Sequence, residues 1–77
     1  MPTILEVLTL LDFESPVANL RHIDAVSEFH DLGIEDVVDL YSLPEELLTT
    51  FGSLGREGAR HVHRYVRDKL LNPLGLL

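Results

Sequence analysis

The sequence predicts an all-α fold, a compact bundle of five to six short helices that forms a single domain over residues 1–77. Three observations support this prediction. Apolar residues recur at helical spacing, capping residues and prolines divide the chain into segments of one to three turns, and there is no cysteine for disulfides. With 77 residues and 45% hydrophobic content, the packing of apolar side chains has to stabilise the domain.

The first helix is predicted to begin after Thr3, a capping residue, and to end near Asp12. A short buried strand is the competing interpretation. Ser15 and Pro16 place a capping hydroxyl before a proline at a first helical position, which predicts the start of a second helix. The apolar stripe of the first helix consists of Ile4, Val7, Leu8 and Leu11, widened by Leu5 and Leu10.

The apolar residues between Val17 and Leu32 recur at every third position, a spacing that drifts around a helix of 3.6 residues per turn. One straight helix cannot keep such a row on one face. We therefore expect a break near Ile23 and Asp24, after which Asp24 caps a short helix that ends at Gly33.

The second half of the chain predicts three further helices. A short one carries Ile34, Val37 and Leu40 on one face. Ser42-Leu43-Pro44-Glu45 has the spacing of a capping box and predicts a helix that continues through about Phe51. After a tight turn at residues 52–55, the last helix begins at Arg56 and ends at Asn72-Pro73. Its predicted core face consists of Ala59, Val62, Val66 and Leu70.

Charge is divided unevenly along the chain. Residues 1–55 hold eleven acidic residues and one base, Arg21, a net charge of −10. Residues 56–77 hold five basic and two acidic residues, a net charge of +3. The sequence therefore predicts an acidic body that carries one basic helix, an asymmetry that bears on binding partners.

The sequence gives little support to catalysis, and we expect no enzyme activity, no metal and no cofactor. It lacks a cysteine nucleophile, a phosphate-binding glycine loop and a serine nucleophile elbow. His61 and His63 point about 200° apart on a helix, so they cannot share a metal ion. The apolar run at residues 4–11 contains Glu6, follows no basic segment and is too short to cross a membrane. We expect a soluble, intracellular, cytoplasmic protein without membrane contact.

Residues 47–62 resemble a helix-hairpin-helix motif, with Leu54 as the hairpin hydrophobe and Gly55 as its second glycine. The motif-like unit extends over about residues 34–71, and the hairpin itself consists of Gly52, Ser53, Leu54 and Gly55. Ser53 stands where the family usually has its first glycine. The spacing from Ile34 onward is also similar to the C-terminal domain of the bacterial RNA polymerase alpha subunit. Sterile alpha motif domains, which share a five-helix architecture, are a third resemblance.

These resemblances imply two functions. Helix-hairpin-helix modules bind duplex DNA through hairpin amides and a helix N-terminus. In the polymerase domain, however, the DNA-contacting positions correspond here to Asp24 and Ser27, with Glu28 adjacent, and the hairpin-helix base corresponds to Glu57. Acids at those positions disfavour a phosphate surface. Sterile alpha motif domains often associate through a basic end helix and an acidic middle region, which matches the charge division of this chain.

We therefore expect a non-catalytic protein-interaction module whose last helix engages an acidic surface of a partner or of a second copy. Nucleic-acid binding through residues 52–56 and the arginines is the alternative. The interaction residues expected on the last helix are Arg56, Arg60, His63, Arg64 and Arg67. The leucine-rich tail at residues 70–77 is expected to fold back over the first helix, or else to join it in a dimer or partner interface.

Overall fold

The computed structural model describes residues 2–73 and Gly75, and within them it is an all-α fold, as predicted. Most of its helices span only one or two turns. In chain order they are α1 (Ile4–Glu14), a 3₁₀ turn (His22–Ala25), α2 (Val26–Asp31), α3 (Val37–Tyr41), α4 (Glu45–Leu48), α5 (Gly55–Tyr65) and a π-helical turn (Val66–Leu71) that continues α5.

Helix α1 begins as predicted, because the Thr3 hydroxyl accepts a hydrogen bond from the Glu6 N–H at 3.2 Å. It extends to Glu14, two residues past the predicted end. Its stripe of Ile4, Val7, Leu8 and Leu11 is fully buried. The predicted widening of this stripe is wrong: Leu5 is 53% exposed and Leu10 42% exposed, because within residues 2–73 no other element covers the outer face of α1.

The helix predicted to start at Pro16 is absent. Ser15 instead caps the C-terminus of α1 through its N–H, which donates to the Leu11 carbonyl at 2.9 Å. The chain then turns, with Leu20 N–H bonded to the Val17 carbonyl at 3.2 Å. A helix resumes only at His22, and Asp24 lies inside its first turn rather than capping it.

The middle of the chain follows the prediction at Gly33 and departs from it at Ser42. Gly33 ends the α2 segment with a left-handed φ of +77°. Asp36 caps α3, accepting from the N–H groups of Val38 and Asp39 at 3.0 Å. The Ser42 capping box is wrong, because the Ser42 hydroxyl donates back to the Asp39 carbonyl and α4 begins after Pro44 without a side-chain cap.

The last helix follows a tight turn in which both Leu54 and Gly55 N–H groups bond to the Phe51 carbonyl. Gly55 takes a φ of +66°, which explains a glycine at this junction. The switch to π geometry adds one residue to a turn, so the buried face passes from Val66 to Leu71. Leu70, predicted for the core face, is only partly buried.

One hydrophobic core joins the first and last thirds of the chain. In it, apolar residues of α1, α2, α3 and α5, among them Phe29 of α2, pack together with Leu48 of α4. The Cα radius of gyration is 11.1 Å, close to the roughly 11.5 Å expected for a compact domain of this length. Among the described residues, no helix is long and apolar enough to cross a membrane. Leu74, Leu76 and Leu77, on which the predicted tail packing depends, lie outside the described residues.

Candidate functional site

The basic face of α5 is defined here as Arg56, Arg60 and Arg64, whose side chains are all exposed. Among the described residues, no carboxylate lies within 4 Å of any of these three guanidinium groups, since the close ion pairs involve other residues. Their positive charge is therefore not neutralised by a direct contact within this part of the chain. The face can accept anionic groups without first breaking an ion pair.

Arg67 and His63, which were also expected among the interaction residues, differ from these three arginines because each has a contact partner in the domain. Arg67 forms a bidentate pair with the adjacent Asp68, at 2.8 and 3.3 Å. The His63 ring stacks on Tyr41 of α3 with a centroid distance of 4.7 Å. Both side chains thus already have partners within the domain, and His63 is half-buried.

The hairpin before α5 has its amides occupied by a carboxylate of the same chain. The N–H groups of Gly52 and Ser53 donate to the two oxygens of Glu28, at 3.1 and 3.2 Å. The Ser53 hydroxyl donates to the Asp24 carbonyl at 3.2 Å. Because Glu28 takes the place an external anion would need, a phosphate has to displace it to reach these two donors.

A buried histidine of the 3₁₀ turn lies against α5. His22 is fully buried, and its Nδ1 lies 2.7 Å from Asp12 Oδ1. The same carboxylate accepts the N–H of His22 at 2.7 Å and the N–H of Ile23 at 2.9 Å. Burial opposes ionisation of Asp12, but these hydrogen bonds outweigh it and lower the pKa of the carboxyl.

His61 of α5 extends this chain of contacts. Its Nδ1 lies 3.0 Å from His22 Nε2, and the two rings are 5.0 Å apart between centroids. Burial lowers the pKa of His61, the charge of a protonated His22 lowers it further, and Glu57 opposes both effects. Asp12, His22 and His61 therefore form a continuous relay from α1 to α5, which is named here the histidine relay.

The relay ends at a cavity of about 290 Å³ between α5 and the loop that follows α1. A close approach of this loop to the helix is possible because residue 58 is glycine: a Cβ there would lie 3.1 Å from Leu20 Cδ2. The cavity thus brings together one ring of the relay and two arginines of the basic face. It is lined by Val17, Glu57, Arg60, His61 and Arg64.

A second polar contact joins the same two helices. The Tyr65 hydroxyl donates to Glu14 Oε1 at 2.9 Å. Burial and this carboxylate raise the pKa of Tyr65 to about 12. The contact and the histidine relay together fix α1, the loop after it and α5 around the cavity.

Fold and site together define a small all-α domain with a basic helix face and a buried histidine relay. Comparisons with protein-family models, with curated proteins and with solved structures found no match to this chain. The resemblance to helix-hairpin-helix and sterile alpha motif domains therefore stays a prediction.

Sequence reasoning missed the histidine relay. The relay spans 10 residues between Asp12 and His22 and 39 between His22 and His61, so no local spacing reveals it. One signal was present: His22 lies between Leu20 and Ile23, where a polar residue needs a buried partner. Among the described residues no group of three metal-ligating side chains comes together.

Proposed function

We propose that this chain is a small non-catalytic protein-interaction module, in which the basic face of α5 binds an acidic surface of another protein or of a second copy. The observation that carries the proposal is the set of three exposed guanidinium groups without a carboxylate within 4 Å among the described residues. Unpaired charges of one sign on a rigid helix orient an oppositely charged partner and increase the rate at which it associates.

The charge of the remaining body supports self-association as one form of this binding. Exposed acids on and around α2 to α4 include Asp31, Glu35, Asp39 and Glu46. A basic face of one copy against this acidic region of the next is a heterologous contact, which builds rings or open chains rather than a two-fold dimer.

Duplex DNA is the weaker candidate for the same face. The two hairpin amides that a phosphate would use are bonded to Glu28. The net charge of −10 over residues 1–55 repels a polyanion beyond the local contact.

The experiment measures binding of a rhodamine-labelled decaglutamate peptide and of a labelled DNA duplex by fluorescence anisotropy at about 20 mM salt. Light scattering over a concentration series at the same salt reports self-association. Arg60→Glu removes a charge from the basic face, whereas Arg21→Glu makes the same change at an exposed site outside α5. We expect Arg60→Glu to weaken peptide binding or self-association by about tenfold or more, and Arg21→Glu to weaken it much less.

Two results would overturn the proposal. One is an absence of both peptide binding and concentration-dependent mass at low salt. The other is an equal loss of binding for Arg60→Glu and Arg21→Glu, which would show that binding depends on the net charge of the chain and not on the basic face. Tighter binding of the duplex than of the peptide, lost in Arg60→Glu, would favour the nucleic-acid function instead.

A further inference from the structure

We propose that the cavity at the end of the histidine relay binds one carboxylate group of the acidic partner, and that this contact is coupled to uptake of a proton by the relay. The inference rests on the proposed function, because two residues of the basic face, Arg60 and Arg64, line the cavity. It adds a defined site, a ligand class and a pH dependence to that function.

Size and charge select the ligand. At about 290 Å³ the cavity is slightly smaller than the roughly 300–1,000 Å³ of small-molecule sites, so it suits a side chain rather than a nucleotide. Its lining holds the two arginines against one acid, Glu57, a net charge of +1 while His61 is neutral. A single carboxylate balances this charge, and guanidinium groups bind carboxylates with paired hydrogen bonds.

The relay fixes the tautomer of His61. Ionised Asp12 accepts the proton on His22 Nδ1, so neutral His22 presents the lone pair of its Nε2 to His61. His61 must then donate from Nδ1, which leaves its own Nε2 as an acceptor. We place this Nε2 at the cavity that His61 lines, where its lone pair repels a carboxylate oxygen.

One added proton reverses this polarity. When His61 Nε2 takes up a proton, the ring becomes a donor to the carboxylate. The proton shared by His61 Nδ1 and His22 Nε2 can then move to His22, which becomes the charged ring and the donor. His61 keeps its other proton, on Nε2, in both arrangements. A second added proton is disfavoured because it would place two cationic rings 5.0 Å apart. The pair therefore behaves as a one-proton switch.

The groups around His61 set the direction of the pH dependence. His22 contacts it from the 3₁₀ turn, with Asp12 of α1 bonded to the other nitrogen of the His22 ring, and Glu57, Arg60 and Arg64 line the cavity with it. On its other side His61 lines a smaller cavity with polar and charged residues: Ser15, Arg64, Tyr65, Asp68 and Lys69. In the free protein burial and His22 lower the pKa of His61, and a bound carboxylate raises it. Affinity for a carboxylate must then increase as the pH falls.

The test measures binding of the decaglutamate peptide between about pH 8 and pH 6 at constant salt, for the wild type, His61→Gln and His63→Gln. We expect the wild type to bind about threefold to tenfold more tightly at the lower pH, since one proton gives at most tenfold per pH unit. His61→Gln should lose this dependence and bind the peptide with the same affinity at both pH values. His63→Gln is the matched control on the same helix, because that ring stacks on Tyr41 and does not line the cavity.

A second measurement keeps the test valid if His61→Gln fails to fold. Histidine ring signals are followed by NMR through a pH titration of the wild type, with and without the peptide. The peptide should raise the pKa of His61.

Failure of this inference is distinguishable from failure of the proposed function. Peptide binding that depends on Arg60 but is equally tight at all these pH values, or a pH dependence that survives in His61→Gln, would overturn the inference alone. Absence of any Arg60-dependent binding would overturn both. Proton-linked binding of the DNA duplex or of inorganic phosphate, but not of the peptide, would refute the assignment of a carboxylate.

Discussion

Replacing Asp12 with asparagine removes the negative charge of the histidine relay and preserves the shape of the side chain. In the wild type, Oδ1 accepts two hydrogen bonds from His22 and Oδ2 accepts one from the Ile23 N–H. An asparagine keeps one carbonyl oxygen for His22, but its amide group then faces the Ile23 N–H with another donor. The bond from Ile23 is lost, and the two bonds from His22 become weaker because their acceptor no longer carries a full negative charge.

The expected loss follows from these three bonds. A hydrogen bond to a charged group contributes about 1.5–3 kcal/mol and a neutral one about 0.5–1.5 kcal/mol, and an unsatisfied donor adds a further penalty. Because the site is only partly buried, we take the lower part of these ranges and expect a loss of about 2–3 kcal/mol. For a domain of this size that corresponds to a fall in Tm of roughly 10–20 °C.

Urea unfolding followed by circular dichroism at neutral pH measures this loss. Asp31→Asn is the matched control, because it makes the same change at an exposed carboxylate for which the described structure shows no hydrogen bond, and such changes stay within about 0.5 kcal/mol. Equal unfolding midpoints for the Asp12 and Asp31 variants would refute the structural role assigned to Asp12.

The same variant predicts a pH dependence of stability. The folded-state pKa of Asp12 lies below its ordinary value of 3.8, so the stabilisation is fully present above that value and is lost as the pH falls through the folded-state pKa. The difference in free energy of unfolding between the wild type and Asp12→Asn should therefore narrow below about pH 4. A difference that stays constant into this range would contradict the depressed pKa.

Three further substitutions test other contacts of the fold. Glu28→Gln weakens the two hairpin hydrogen bonds and should destabilise the domain by about 1 kcal/mol in urea unfolding, so an unchanged midpoint would count against them. Gly58→Ala should lack the usual gain of about 0.5–1 kcal/mol for alanine in a helix, because its Cβ would lie 3.1 Å from Leu54 Cβ. At Gly52 nothing lies within 4 Å of a new Cβ, so a larger loss there than at Gly58 would contradict this argument. Tyr65→Phe should cost about 1 kcal/mol near neutral pH, and in the wild type the stabilisation from Tyr65 should disappear as the pH rises from about 10 to about 12. Ultraviolet titration should show one late-ionising tyrosine that this variant lacks.

Local patterns in the sequence predicted the helix boundaries that depend on a capping side chain or on a glycine at the boundary itself. Thr3 lies next to the amide it caps, and Gly33 and Gly55 adopt the positive φ that a glycine tolerates. The capping patterns at Ser15 and Ser42 were equally strong, but the helix starts that they predicted were wrong. Each of these residues caps the C-terminus of the preceding helix instead. Capping patterns identify a helix boundary more reliably than they identify which side of it is helical.

The candidate site was only partly predictable for a related reason. Helical spacing correctly placed Arg60 and Arg64 on one exposed face, since that depends on neighbours within two turns. The partners of His61 and Glu28 come from elements 39 and 24 residues away. Their positions depend on tertiary packing, which single-sequence periodicity does not contain.

The contact of the loop after α1 with α5 has a consequence for synthesis on the ribosome. His22 contacts His61, Glu14 contacts Tyr65, and Leu20 lies close to Gly58. The first third of the chain therefore packs against the last helix. At about 5–20 residues per second, the 39 residues from His22 to His61 take roughly 2–8 s to be made. During that interval the apolar stripe of α1 has no α5 to cover it, and a nascent-chain chaperone would find it accessible.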